Sequence, residues 1–326
     1  MHETLAQQIF SMSQTPSLIG IEIGGTKLQI AVGDRSGQIH ELCPIPADRD
    51  GGGEAIRRQI AEALPPLIAR HKPSAIGVGF GGPIDWKTGV VCCSHQVVGW
   101  HDFPLGAWLN EITGLPVIVD NDANTATLGE ALFGAGRGHD PVFWINMGSG
   151  VGGGLVNGGK LYHGARPGEA EVGHIRLDKS GVLVEDRCSG WALDRRVREA
   201  IQAMPTGTLA RLVGDQVGGE ARHLGQALAE GDPVASAILS ELADNVGFAL
   251  SHVVQLFHPE LIVVGGGVSL LGEPLRAAIA EALPRYVMDS FQPGPKVVLP
   301  GLGQNSVPVG ALALAASHLD SQSAHR

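Results

Sequence analysis

Two glycine-rich bends in this chain carry the side chains needed to hold phosphate: Gly24-Gly25-Thr26-Lys27 and Gly148-Ser149-Gly150-Val151-Gly152-Gly153-Gly154. Glycine lets backbone N–H groups turn inward toward phosphate oxygens, and Thr26, Lys27 and Ser149 add two hydroxyls and a cation. Between them in sequence lies Asn121-Asp122-Ala123-Asn124. The Asp122 carboxylate is of the type that takes a proton from a hydroxyl attacking a phosphoryl group. Read locally, it is first of all a helix cap, a task that Asn121 or Asn124 would share. A third cluster, Glu169, Glu171 and His174, sits between glycines. Such a group either clasps vicinal hydroxyls of a sugar or forms a solvated loop. Finally, Gly265-Gly266-Gly267 follows an apolar run and offers either a flat backbone for a base or ribose, or a plain turn.

These residues need elements to position them. Leu18 to Asp34 reads as strand, glycine turn and strand, because Ile19, Ile21 and Ile23 alternate before the glycines and apolar residues resume after Lys27. Helical periodicity runs from Glu54 to His71, interrupted by Pro65-Pro66, and a strand is predicted from Ala75 to Phe80. A helix over Phe103 to Ile112, a strand over Val117 to Val119 and a helix over Ala123 to Phe133 follow, which puts Asn121-Asp122 at a strand-to-helix junction, a usual place for chemistry. After the glycine-rich joint Gly134 to Asp140 the opening pattern recurs: strand Val142 to Met147, turn Gly148 to Gly154, strand, turn at Asn157-Gly158-Gly159, and strand Lys160 to Tyr162. The two glycine hairpins lie about 125 residues apart, which predicts two similar halves. Downstream are a helix over Pro233 to Leu256, a strand over Leu261 to Val264, a helix over Gly272 to Tyr286 opened by Pro274, and an alanine-rich helix over Val309 to His318.

Two familiar nucleotide motifs fail on context. Gly77-x-Gly79-x-x-Gly82 and Gly148-x-Gly150-x-x-Gly153 both fit the dinucleotide fingerprint and follow strands, yet neither opens a helix that would hold a pyrophosphate. Gly154 to Lys160 fits the first part of a P-loop, but Leu161 replaces the required Ser or Thr, and the segment reads as a hairpin.

Composition sets the outer bounds. The 326 residues suggest about two domains of ~150 residues. A hydrophobic share of 44% with 17% charged residues excludes a disordered or fibrous chain. The 47 glycines, about twice the usual share, show no Gly-X-Y period. A net charge of −10 argues against a generic nucleic-acid or membrane-surface role. Cys43, Cys92, Cys93 and Cys188 lack zinc or disulfide spacing, so a reducing cytoplasm is the simplest reading, and with Cys188 the only cysteine downstream of His174 a zinc site there is not expected. Neither a secretion signal nor a membrane span is expected. The first 17 residues are expected to be ragged and the tail from Ser321 frayed.

Taken together, these residues resemble the ROK family of sugar kinases, with a match from about Leu18 to Ala316. The opening signature, usually Asp-x-Gly-Gly-Thr-Lys, stands here as Glu22-Ile23-Gly24-Gly25-Thr26-Lys27; Asn121-Asp122-Ala123-Asn124 with Gly129-Glu130 matches the catalytic segment; Glu171-Val172-Gly173-His174 matches the E-x-G-H element. The resemblance implies an α/β, two-lobed, actin-like ATPase (ribonuclease H-like) fold with a cleft between the lobes. The small lobe would span 18–120, completed by a helix over 309–318; the large lobe would span 121–308, with flexible tails at 1–17 and 319–326. It further implies that Asp122 is the general base, that Gly82, Asn121, Asp122, Glu171, His174 and Glu185 bind the sugar, and that Gly24, Gly25, Thr26, Lys27, Gly148, Ser149, Gly150, Gly265, Gly266 and Gly267 bind ATP. Glu22 would act near Mg²⁺, indirectly and with altered reach relative to the usual Asp.

Two departures qualify the match. The cysteine-rich zinc loop that follows the E-x-G-H histidine in many members is shortened here to RLDKSGVLVEDRC, so no zinc is expected. Gln96 stands four residues before Trp100 where many members place Asn, which leaves sugar selectivity open. The implied activity is an ATP-dependent transfer of phosphate to the 6-hydroxyl of a hexose, with glucose first among candidates. Another hexose or N-acetylhexosamine, and polyphosphate in place of ATP, stay open, as does a homodimer, which is common among relatives. The rivals are a non-catalytic sugar-binding protein and a sugar-responsive regulator. The regulator needs a DNA-binding domain in front of the first strand, for which about 17 residues are too few.

Overall fold

The computed structural model describes residues 16–323 except Thr26, His95 and Glu169. The expected ragged start, the last residues of the tail, and the proposed roles of Thr26 and Glu169 fall wholly or mainly outside that range. The chain forms two compact units. One comprises the residues up to Gly129, Ala165–Gly168 and the chain from Asn305; the other comprises Glu130–Gly164 and the stretch ending at Gln304.

In the first unit, β1 (Leu18–Ile23), β2 (Lys27–Gly33) and β3 (Ile39–Pro46) form an antiparallel meander, and β4 (Ile76–Phe80) and β7 (Val117–Asn121) add in parallel on the far side of β1, giving the order β3-β2-β1-β4-β7. A small ladder, β5 (Ile84–Asp85) with β6 (Val90–Val91), stands apart. Every residue of β1 and β4 is buried, and the two faces of these strands are built differently. Ile19, Ile21, Ile23, Ile76 and Val78 pack with Ile56, Ile60, Leu64 and Leu67 of the helix Gly52–His71. On the other face lie Gly20, Gly77 and Gly79, against the helix Ser306–Ser323. A Cβ at Gly77 would stand 1.9 Å from the Ala311 carbonyl oxygen, so only glycine lets the helix backbone lie on the strand. Two glycines of the failed dinucleotide fingerprint, Gly77 and Gly79, are thus a helix seat.

Pro65-Pro66 does not interrupt the helix Gly52–His71. Both prolines are exposed, whereas Leu64 and Leu67 beside them are buried. The hydrogen bonds they forfeit lie on the solvent side, where water serves the carbonyls, and the apolar stripe holds the turns together.

The second unit has the same strand plan. β8 (Val142–Met147), β9 (Val151–Asn157) and β10 (Lys160–Leu161) are antiparallel, and β11 (Leu261–Gly265) and β12 (Lys296–Val298) extend the sheet in parallel, in the order β10-β9-β8-β11-β12. The turn is shorter than expected: Gly152, Gly153 and Gly154 belong to β9, and only Gly148–Gly150 bend. The long helix Pro233–Phe257 is capped by Asp232, whose side chain accepts from Val234 N at 2.7 Å. The predicted helix from Gly272 resolves into Glu273–Ala282 followed by a separate 3-10 turn at Leu283–Arg285, where Pro284 lacks the N–H to continue the ladder.

The expected division after residue 120 shifts. Asn121 ends β7, the helix Asp122–Phe133 opens at once, and the first unit continues to Gly129. The physical reason is close packing with the last helix: a Cβ at Gly310 would lie 1.7 Å from Thr125 O. No helix among the described residues is long and apolar enough to cross a membrane.

Candidate active site

In the first unit the sheet brings three chain segments to one edge. Pairing puts Ile23, Phe80 and Asn121 side by side at the ends of β1, β4 and β7, so the residues that leave the sheet there are Gly24, Gly81 and Asp122. The first glycine bend is closed by Gly24 N donating to Lys27 O at 2.7 Å, and Gly81 N donates to Ile23 O at 2.8 Å. A Cβ built on Gly81 would meet Asp122 Oδ2 at 3.3 Å and Gly24 Cα at 3.4 Å. The half-buried carboxylate of Asp122 therefore stands over Gly81 beside the bend.

Asn121 caps the helix. Asn121 Oδ1 accepts from Ala123 N at 2.8 Å and from Asn124 N at 3.2 Å, while its Nδ2 donates to Gly82 O at 3.3 Å. Asn121 thus satisfies the first orphan N–H groups of the helix. Asp120, missed in the sequence, braces this corner together with Asn124. Asp120 Oδ1 accepts from Asn121 N at 2.8 Å and from Asn124 Nδ2 at 3.0 Å, and Asn124 Nδ2 also donates to Gly168 O at 2.9 Å. The signal was a charged residue inside an otherwise apolar strand.

Glu22 lies in β1 directly opposite Gln29 and is 8% exposed. Burial pushes its carboxyl above the usual range, opposed by Lys27 and by the hydrogen bond that Gln29 Nε2 donates. Lys27 Nζ is 3.9 Å from Glu22 Oε2 and leans back toward the strand. Gln96 reaches the same bend: a Cβ at Gly25 would collide with its carboxamide oxygen. Ser94 Oγ holds that turn by accepting from Gln96 N at 3.4 Å and from Val97 N at 3.2 Å.

The second unit gathers another set. Gly148 N donates to Gly150 O at 2.9 Å across the bend that carries Ser149. Glu185, on the short helix Val184–Cys188, accepts from Val151 N at 2.8 Å through Oε2. The 3-10 turn Val172–His174 packs on β9, and a Cβ at Gly173 would lie 2.1 Å from Val151 O. Glu171 and His174 flank that glycine, half exposed, with Oε2 and Nε2 4.0 Å apart. The expected flat glycine surface at Gly265-Gly266-Gly267 is corrected in part. Trp144 fills the space over Gly265, Gly266 lies on the Met147 backbone with φ +82, and only Gly267 opens onto free space. Among the described residues no group of three or more His, Cys, Asp and Glu side chains is arranged to hold a metal ion. The buried Cys188 thiol is pushed up to about 12 by burial and by Glu241.

Each unit supplies a glycine bend, with a carboxylate beside the first, and carboxylate and imidazole groups near the second. Comparison with known proteins bears on what this serves. The model of the ROK family matches residues 18–318. The glucokinase of Thermotoga maritima is 32% identical over 305 residues, covering 91% of this chain and 96% of that protein. The glucokinase of Halalkalibacterium halodurans is 35% identical over 309 residues, covering 90% and 92%. A ROK family glucokinase from Streptomyces griseus, crystallised with glucose and AMPPNP, superposes with a TM-score of 0.82 at 35% identity, covering 92% of this chain and 99% of that one.

Proposed function

The chain belongs to the ROK family, and on that premise we propose that it is an ATP-dependent hexose kinase of the glucokinase type, transferring the γ-phosphoryl group of ATP to the 6-hydroxyl of glucose. The actin-like ATPase fold it shares with ROK glucokinases supports this, as do the curated glucokinases and the relative crystallised with glucose and AMPPNP. The observation that carries it is the Asp122 carboxylate standing over Gly81 beside the first glycine bend.

In this reading Asp122 accepts the proton of the attacking hydroxyl as its oxygen bonds to the γ-phosphorus, and ADP leaves with the bridging oxygen. Gly25, Thr26, Lys27, Ser149 and Gly150 offer donors and charge to the phosphates, Gly24 and Gly148 shape the bends that their own N–H groups close, and Gly267 offers the one open glycine backbone of its loop. Gly82, Asn121, Glu171, His174 and Glu185 bind the sugar hydroxyls. Mg²⁺ would be held chiefly by the phosphates, with Glu22 and Asp122 at the first bend; among the described residues no group of three or more acidic, His or Cys side chains forms a dedicated cage. Bound there, it would neutralise phosphate charge. No zinc is assigned to His174. Four free cysteines suit a reducing cytoplasm.

The test is a panel of hexoses and N-acetylhexosamines with ATP and Mg²⁺, scored for phosphorylated product and ADP. Glucose is expected to give the highest kcat/KM. Sugar binding without ADP release on any member would replace the kinase reading with a non-catalytic one.

A further inference from the structure

The segment Glu185–Gly190 touches both ends of the second glycine bend. At one end Glu185 Oε2 accepts from Val151 N at 2.8 Å. At the other, Gly190 N donates to Gly148 O at 2.7 Å, at the start of the helix Gly190–Ala203, whose cap is Ser189 accepting from Ala192 N at 3.2 Å. Space leaves no slack between them: a Cβ at Gly150 would lie 2.4 Å from Glu185 Oε2, and one at Gly190 would lie 2.9 Å from Gly148 O. The bend itself has a single internal hydrogen bond, Gly148 N to Gly150 O. Among the described residues, Oε1 of Glu185 has no hydrogen-bond partner.

The geometry points to Glu185 as a positioning residue for the nucleotide: through Oε2 it fixes the second phosphate-binding bend, while Oε1 stays available to a sugar hydroxyl. This rests on the kinase reading and deepens it. One carboxylate then serves two substrates. An N–H bonded to a side-chain acceptor fixed in place is held more firmly than one bonded to water, so the bend is set for phosphate before nucleotide arrives. Sugar binding at Oε1 draws on the same carboxylate, which couples occupancy by sugar to the shape of the bend.

The experiment is calorimetric titration of AMPPNP with Mg²⁺ into the full chain without sugar, for wild type, Glu185→Gln, Glu185→Ala and Gly150→Ala, alongside glucose KM and kcat. The amide oxygen of glutamine still accepts from Val151 N, so Glu185→Gln is expected to keep nucleotide affinity within about twofold while glucose KM rises. Glu185→Ala removes the acceptor and is expected to weaken AMPPNP about tenfold. Gly150→Ala keeps the carboxylate but forces it off the bend, and is expected to match Glu185→Ala; it carries the test should the latter not fold. Unchanged AMPPNP affinity in both alanine variants overturns the inference, as does an equal loss in Glu185→Gln and Glu185→Ala. The kinase reading fails separately: wild type that binds AMPPNP but phosphorylates no hexose contradicts that reading, while the affinities of the variants still decide the role of Glu185 at the bend. Wild type that does not bind AMPPNP overturns both.

Discussion

Asp122 and Glu22 are both acidic residues at the first glycine bend, and their surroundings give them different work. Asp122 is half buried over Gly81, whereas Glu22 is enclosed between Gln29 and Lys27. Burial raises the Glu22 pKa, so the folded chain holds that proton more tightly than the unfolded chain does. Its contribution to stability therefore falls as pH rises from the ordinary value of 4.5 through the raised one. Glu22→Gln, which keeps a partner for Gln29, is expected to melt a few degrees higher than wild type at pH 7.5, with the difference closing near pH 4. Thermal unfolding at the two pH values checks this; a variant less stable at pH 7.5 would show that the charge is compensated. The opening motif showed that an acid stands at position 22, but a one-dimensional spacing carries no burial, and only the pairing opposite Gln29 reveals it. The cap was legible as a task shared among Asp122, Asn121 and Asn124, and the structure shows Asn121 performing it; the sequence could not choose because Asn and Asp cap equally well.

Elements explain why certain glycines cluster in strands that look apolar. Gly20, Gly77 and Gly79 alternate with isoleucine, valine and phenylalanine because the helix Ser306–Ser323 lies against that face with its backbone in contact. Gly77→Ala, whose Cβ meets the Ala311 carbonyl, is expected to cost about 1–3 kcal/mol of stability, read by chemical denaturation. Ala311 lies on a helix far along the chain, so the pairing was invisible in a local window, although the period of two was visible. The reverse held for Pro65-Pro66. Their local signal was a break, and the buried stripe on the opposite face of the helix overrode it. Hairpins, the strand-to-helix junction at Asn121 and the long helix from Pro233 were readable because their turn and cap residues act on immediate neighbours. The Glu185 bond to Val151 was not, since it joins residues from a short helix and a strand that no pattern links.

At the scale of the molecule, each unit repeats one strand plan, and each plan delivers a glycine bend from its first hairpin. That repetition was legible from two glycine hairpins at matching positions; the return of the last helix to the first unit was expected only through the family resemblance, and the switch points after Gly129 and before Asn305 were not legible, because they depend on which helix packs where. The net charge of −10 also acts on the whole. A long polyanion meets more of that field than ATP does, so ATP is expected to exceed polyphosphate as donor by at least about tenfold at low salt, with the gap narrowing as salt screens the charge. Donor competition at two ionic strengths measures it, and a preference for polyphosphate at low salt would contradict it. The central claim is that Asp122 removes the proton during phosphoryl transfer to a hexose. The most direct measurement is the turnover of Asp122→Asn with glucose and ATP, paired with glucose binding. Turnover lowered at least ~100-fold with glucose binding retained is the predicted result; near wild-type turnover would contradict it.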